Sequence, residues 1–350
     1  MKVLYLFSGT RNDKFKGVMS RDFPDTQFYG LNHFAEFGVE AENKEFSDLV
    51  KNKFLGKFLG FRFRHLFMFF LARNYDIVFG SSLLYMMGLK KIFRAKSKFV
   101  FFNLGLTRTL MVNKDRLIKF KILRWLISEV DGIVCLSNSQ KEFLENTFPF
   151  LRGRVFFAPL GVDTTYYQPK YEGRKDFLLA AGRDNGRDYK TVVEAARLLP
   201  NQAFEIVCSP RNLEGVIDIP KNVTVHFDLP IAELNKKYQE AALLLLITHA
   251  DNFLDGSDCS GQTVLLDAMA SGLPVIVSRK KYLSDYVEQG KEVCLVDFYA
   301  PQDVAEKVQS LSDPQKRKQM AGAARRKVEQ AFSTTEMAKN LTKIFSEIMK

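Results

Sequence analysis

Two stretches in the second half of the 350-residue chain combine small residues, cations and a carboxylate at spacings that suit phosphate chemistry. In "CSGQTVLLDAMASGLPVIVS", residues 259–278, Ser260, Gly261, Gln262 and Thr263 lead into a short apolar helix. The start of a helix has unpaired N–H groups and partial positive charge, so it attracts anions where the preceding residues are small enough to admit them. Asp267 follows about one turn later, where a carboxylate can accept hydrogen bonds from ribose hydroxyls. Gly272 and Pro274 then end the helix before the strand "VIVS". In the second stretch, "LLAAGRDNGRDYKTVVEAARLLP", residues 178–200, a strand ends at Ala181 and the chain turns at Gly182. Arg183 and Arg187 bracket the loop that follows. Two guanidiniums facing a helix N-terminus hold a diphosphate from both sides. Taken singly, each stretch also fits an ordinary connection: a Ser-capped helix in one case, a solvated Arg/Asp turn in the other.

Elements that could position these residues recur along the whole chain. Short β-branched and aromatic runs alternate with helical patterns, which predicts parallel sheets covered by helices. The first half has strand patterns at "KVLYLF", "DIVFG", "KFVFF", "GIVCLS" and "RVFFA", and the second at "DFLLAAG", "AFEIVC", "NVTVHF", "LLLLIT", "PVIVS" and "VCLVD". In "TQFYGLNHFAEF" the spacing of Phe28, Leu31, Phe34 and Phe37 predicts a helix stopped by Gly38. Strand patterning lapses between residues 156 and 176, where Pro, Gly and charge accumulate. The expected organisation is therefore two doubly wound domains, residues 1–160 and 161–333, with a last helix over 334–350 that returns across the linker. In such sheets ligands bind beyond the carboxyl ends of the strands, and both motif loops leave such ends.

Charge separates the halves. Residues 1–160 hold 26 Lys and Arg against 14 Asp and Glu, whereas residues 161–350 hold 25 against 26. Between residues 51 and 124 there are 17 basic residues and only Asp76 and Asp115 as acids, a field that attracts an anionic surface. Within residues 51–73, Lys57, Arg62 and Arg64 interleave with Phe and Leu, as in a helix lying on anionic lipid. A basic face over a Phe-rich core has the same pattern. Nucleic-acid recognition motifs are absent. The first apolar run is too short for a signal peptide, and no stretch reaches the roughly 20 apolar residues of a spanning helix. The four cysteines lack metal-ligand spacing, so a reduced, cytoplasmic protein is expected. Asp251, Asp255 and Asp258 offer hard oxygen ligands, but the expectation is that no metal is bound. His249, at a strand end after "LLLLIT", serves equally as a packed residue or as a donor-site residue.

Four motifs in order make the chain resemble a retaining glycosyltransferase of the GT-B fold, most similar to glycosyltransferase family 4. "RVFFAPLGVDTTYYQP" is similar to the family's inter-domain segment, and "AAGRDNGRDYKTVVEA" to its "GR...KG...L..A" loop. "CSGQTVLLDAMASGLPVIVS" is similar to "E.FG..LLEAMA.G.PVI", and "FSTTEMAKNLTKIFSEI" to the closing helix. The resemblance covers nearly all of the second half and extends weakly to the first. It implies two Rossmann-like domains facing across a cleft and a nucleoside diphosphate sugar, UDP- or GDP-linked, as donor, with no cofactor and no metal. By the resemblance, Arg183 and Arg187 neutralise the leaving diphosphate, Arg187 standing where the family usually has Lys. Asp267 takes the place of the Glu that binds ribose. The family's other Glu falls at Cys259, which is no strong acceptor, and leaves Asp258 as the adjacent candidate for the donor sugar's hydroxyls. Gly9 sits where the family has a glycine-bearing loop near the donor phosphates, although "SGTRNDKFKG" also reads as a surface turn.

The expected activity is transfer of a sugar, with retention, to an acceptor in cell-surface glycan or glycolipid synthesis. Lipid-linked acceptors, common among related enzymes, would bring the protein to the inner face of the membrane. The rivals are a catalytically inactive sugar-nucleotide-binding scaffold, motivated by Cys259, and a sugar-nucleotide epimerase or hydrolase on the same fold.

Overall fold

The computed structural model describes residues 1–7, 9, 11–45, 61–170 and 173–350. They divide into two compact units. Unit 1 comprises Met1–Ser20, Asp25–Pro159 and Thr334–Lys350; unit 2 comprises Arg21–Pro24 and Leu160–Ser333. No helix among the described residues is long and apolar enough to cross a membrane.

Unit 1 begins with β1 (Lys2–Phe7), α1 (Asn12–Met19) and β2 (Glu40–Glu45). It continues through α2 (Phe61–Ala72), β3 (Ile77–Gly80), α3 (Leu84–Phe93) and β4 (Lys98–Asn103). Then follow α4 (Leu106–Asn113), α5 (Leu117–Ile127), β5 (Gly132–Cys135), α6 (Asn138–Thr147) and β6 (Val155–Phe157). The strands form one parallel sheet in the order β2-β1-β3-β4-β5-β6. β3 and β5 are buried along their whole length, as continuous Ile, Val and Phe runs require when helices cover both faces. β2, "EAENKE", is an edge strand with only Glu45 buried, and charge on an edge discourages further pairing.

The helix predicted over residues 26–37 forms instead as two 3-10 segments, Asp25–Phe28 and Leu31–Phe37. Tyr29 and Gly30 between them have positive φ, 52° and 80°. A Cβ on Gly30 would stand 2.9 Å from the backbone nitrogen of Ala338, so the break lets another helix close in. Phe28 and Phe34 are buried as their spacing required, and Gly38 ends the second segment at φ 71°.

Unit 2 runs β7 (Phe177–Ala181), α7 (Tyr189–Leu198), β8 (Ala203–Cys208), β9 (Val223–Phe227), α8 (Ile231–Glu240) and β10 (Leu243–Leu246). It ends with α9 (Gln262–Ala270), β11 (Val275–Ser278), β12 (Val293–Val296), α10 (Pro301–Ser310) and α11 (Pro314–Ala331). Its parallel sheet has the order β12-β11-β10-β7-β8-β9. Counted from β7 this is 3-2-1-4-5-6, and the strand order reverses between β7 and β10, where open α/β sheets bind ligands.

The last helix, α12 (Thr334–Met349), belongs to unit 1. Its Phe345 ring stacks on Phe34 at 5.9 Å and meets Phe79 edge-on at 5.4 Å. At its start, the Thr334 hydroxyl donates to Asp25 Oδ2 at 3.1 Å. His33 joins the same group through Nε2 to Asp25 Oδ2 at 2.9 Å and Nδ1 to Glu36 Oε1 at 2.7 Å. The hydrogen bond to Asp25 is the main reason the imidazole is raised to about 9, with Glu36 adding to it and burial opposing. A raised histidine stabilises the fold fully below its unfolded value of about 6.5, and that contribution is lost as pH rises through about 9. We expect urea unfolding to show a loss of at most about 3 kcal/mol between pH 6 and 9.5. A His33→Gln variant should lack this slope; an equal slope in the variant would assign the titration to another group.

Candidate functional site

The loops leaving β7 and β10 lock together at the point where the strand order reverses. Asp188 N donates to Ile247 O at 3.0 Å and His249 N to Gly186 O at 2.9 Å. The chain passes so close at Gly256 that a Cβ there would lie 2.5 Å from Gly186 Cα. Asp184 Oδ1 accepts from Gly186 N at 2.8 Å and from Ser257 N at 3.2 Å, tying one loop to the other. Asp188 caps α7 by accepting from Thr191 N at 3.0 Å, which satisfies one of the unpaired N–H groups of the first turn.

Arg187 lies beneath this junction, 6% exposed. Its Nε donates to Ala181 O and its Nη1 to Ser260 Oγ, each at 3.1 Å. Two glycines make room for it. Gly182 has φ 137°, and a Cβ there would fall 2.3 Å from Arg187 Nε; Gly261 has φ 101°, and its Cβ would fall 3.1 Å from Nη1. Gly182, Arg187, Ser260 and Gly261 thus form one seat, with Gly261 at the N-cap of α9. Tyr282, which no sequence motif marks, closes the far side by donating its hydroxyl to Ser260 O at 3.1 Å; burial raises its phenol strongly and keeps it a donor.

Arg183 is placed differently. Its side chain is more than half exposed, with Nε 3.1 Å from Asp228 Oδ1 and Nη2 donating to Leu229 O at 3.1 Å. The two guanidiniums therefore do not converge here: Arg183 leans toward the turn after β9 while Arg187 points under the loops. Gln262 is buried and Thr263 exposed. Asp258 and Cys259 are half-buried beside the seat.

Asp267 is buried on α9, and its carboxyl is hydrogen-bonded to the Tyr167 phenol. Burial pushes that carboxyl well above the carboxylate range, against the opposing pull of Tyr167. His249 is half-buried, its ring 4.1 Å from Phe253 and 5.7 Å from Tyr299. Beside it, buried Lys280 pairs with Asp251 at 3.2 Å, and Asp255 accepts from Asn185 at 3.2 Å. Asp251 and Asp255 are thus committed within the protein. Gly9 is exposed in unit 1 after β1. Of the basic segment 51–73, residues 51–60 lie outside the described residues, as do the side chains of Arg62 and Arg64.

Comparison with known proteins places this arrangement. Residues 183–343 match the family model described as glycosyl transferase-like. Over 110 residues the chain is 32% identical to spore coat protein SA of Bacillus subtilis strain 168, a stretch that is 29% of this chain and 28% of that protein. Two solved structures align over essentially the full chain. One is Anabaena HepE in complex with UDP and glucose, at a TM-score of 0.67 and 13% identity, covering 99% of each chain. The other is sucrose-phosphate synthase from Thermosynechococcus elongatus, at a TM-score of 0.72 and 14% identity, covering 99% of this chain and 98% of that one.

The fold is GT-B. The two six-stranded parallel sheets are the two Rossmann-like domains of that fold, and the family match begins at Arg183 and takes in Arg187, Ser260 and Gly261 of the seat.

Proposed function

We propose that this GT-B protein is a retaining glycosyltransferase of the hexosyltransferase type, moving a sugar from a UDP- or GDP-linked donor to an acceptor hydroxyl. The observation that carries the reading is the seat itself: a buried guanidinium under two glycine-opened loops, at the start of α9 and at the switch point of the sheet. HepE, similar in fold, is described in complex with UDP and with UDP-glucose.

A departing diphosphate gathers charge at its bridging oxygen, and fixed positive potential in a water-poor seat lowers the barrier most where that charge grows. Arg187 and the N–H groups at the start of α9 supply such potential without reorganising. Arg183 joins them by exchanging Asp228 for phosphate, which its exposure permits. Asp267 serves the ribose, Asp258 the donor sugar, and His249 lines the donor. An acceptor held on the face the leaving group departs from gives up its proton to the leaving phosphate, so no protein base is required. The acceptor belongs to glycan or glycolipid synthesis in the cytoplasm, and a lipid-linked acceptor would bring the protein to the inner membrane face.

The first test is melting in the presence of UDP, GDP, ADP or CMP. At about 100 times its dissociation constant a ligand adds roughly 2.7 kcal/mol, a rise of about 5–10 °C for a unit of this size. One diphosphate is expected to stabilise wild type and to lose much of its effect on Arg183→Ala; no shift with any of them removes the donor assignment. NMR of the product then decides the stereochemistry, since an inverted anomeric centre refutes retention. Turnover of the donor without acceptor would favour the epimerase or hydrolase instead.

A further inference from the structure

Among the described residues, unit 1 exposes a broad apolar surface. Met68 and Phe69 of α2, Met86 and Met87 of α3, and Leu123 and Ile127 of α5 all pack into one core. The opposite faces of the same helices carry Phe67, Phe70, Ile92, Phe93, Ile118 and Ile122 into solvent, with Ile92 65% and Ile118 78% exposed. The face is continuous. The Phe70 and Phe93 rings meet edge to face at 5.6 Å. At the next junction a Cβ on Gly88 of α3 would stand 3.3 Å from the Trp125 ring of α5, so α3 and α5 touch there, and Lys91 Nζ lies 5.6 Å from the same ring. Isolated exposed apolar side chains are ordinary, but a contiguous patch marks a surface that another body covers.

The helices that carry this face are rich in cations. From Leu84 to Trp125 there are 11 Lys and Arg and a single acid, Asp115. Lys90 and Lys91 are held by Asp131 and Glu129. Among the described residues, Arg94, Lys96, Lys119 and Lys121 form no ion pair. A second copy of the chain, docked face to face, would set cations against cations. Nucleic acid would satisfy the cations but leave the exposed isoleucines in water, since bases stack on rings rather than on branched aliphatics. An anionic bilayer meets both needs, with phosphates at the level of the Lys and Arg heads and an acyl boundary a few ångströms below.

We propose that the α2–α3–α5 face of unit 1 docks on anionic phospholipid. The surface overlaps residues 51–73 at Phe67 and Phe70 and extends beyond them to α3 and α5, while Met68 and Phe69 of the same segment enter the core. It stands independently of the sugar-transfer reading.

Trp125 is the protein's only tryptophan, so its emission reports on this face alone. The experiment mixes the full chain with vesicles of phosphatidylcholine, or of phosphatidylcholine with about a third phosphatidylglycerol, and follows sedimentation and fluorescence. The anionic vesicles are expected to sediment the protein and shift Trp125 emission to the blue, both reversing at about 0.5 M salt. Ile118→Glu/Ile122→Glu alters only exposed positions, and its melting temperature checks folding. It is expected to weaken vesicle binding at least about tenfold, because it inserts charge where apolar contact was required. The proposal is overturned by no sedimentation with anionic vesicles; by sedimentation with unshifted Trp125; by undiminished binding of the folded double variant; or by a dimer in vesicle-free solution that the double variant dissociates. An equal Trp125 shift with a single-stranded oligonucleotide at the same phosphate concentration would reassign the face to nucleic acid. Donor-nucleotide melting shifts are read separately, so loss of the docking face and loss of the sugar-transfer reading give different results.

Discussion

Gly182→Ala is expected to lower the stability of unit 2 by about 3 kcal/mol or more and to remove the nucleotide-dependent rise in melting temperature. Two effects add. At φ 137° an alanine is strained, and its Cβ would sit 2.3 Å from Arg187 Nε and 2.6 Å from Nη2. Because Arg187 is buried, its guanidinium has nowhere to retreat without abandoning Ala181 O and Ser260 Oγ. Buried charged groups deprived of partners cost several kcal/mol. Gly215→Ala separates the two effects: that glycine also has positive φ, 79°, but no atom within 4 Å of the added Cβ, so only strain of about 1 kcal/mol is expected. A double-mutant cycle of Gly182→Ala with Arg187→Met should show strong coupling, since removing the guanidinium removes what the methyl displaces. If Gly182→Ala and Gly215→Ala cost the same, Arg187 is not held as described.

This seat also marks how far the sequence could be read. Gly182, Arg187, Ser260 and Gly261 are legible because small residues and cations flank two helix starts, and local rules of that kind extend over a few residues. Where the Arg183 side chain goes depends on Asp228, and where the Asp267 carboxyl goes depends on Tyr167, 100 residues earlier in the chain. No local spacing encodes such partners. Among the strands, the buried ones were plain because their apolar runs must be apolar on both faces. β2 has no apolar strand pattern, because an edge strand such as "EAENKE" has little to bury. The helix expected at residues 26–37 had the right apolar spacing, yet the close approach of Ala338 at Gly30 decided its form. Lys280 and Tyr282 had no sequence signal, for a lone Lys or Tyr after a strand is ordinary until its partners are seen.

A second large effect is expected at Arg325, which is outside the seat but carries the segment beneath it. The guanidinium, 8% exposed, donates to three carbonyls: Tyr167 O, Ala270 O, and Thr164 O at 3.0 Å. Its Nε donates to Glu329 Oε1 at 2.7 Å. One fork thus fastens α11 to the end of α9 and to the chain leading into unit 2. Arg325→Met keeps most of the packing but orphans those carbonyls, and we expect a loss of about 3 kcal/mol, or roughly 10 °C in melting temperature. Arg325→Lys should recover little, because an ammonium on a flexible stem cannot reach carbonyls in three directions with the planar fork of arginine. Nucleotide affinity is expected to fall with stability, since Tyr167 both accepts from Arg325 through its carbonyl and holds Asp267 through its phenol. A Met variant that melts like wild type would mean that the carbonyls find water. A variant that melts early yet binds nucleotide unchanged would separate the Arg325 fork from the Asp267 carboxyl.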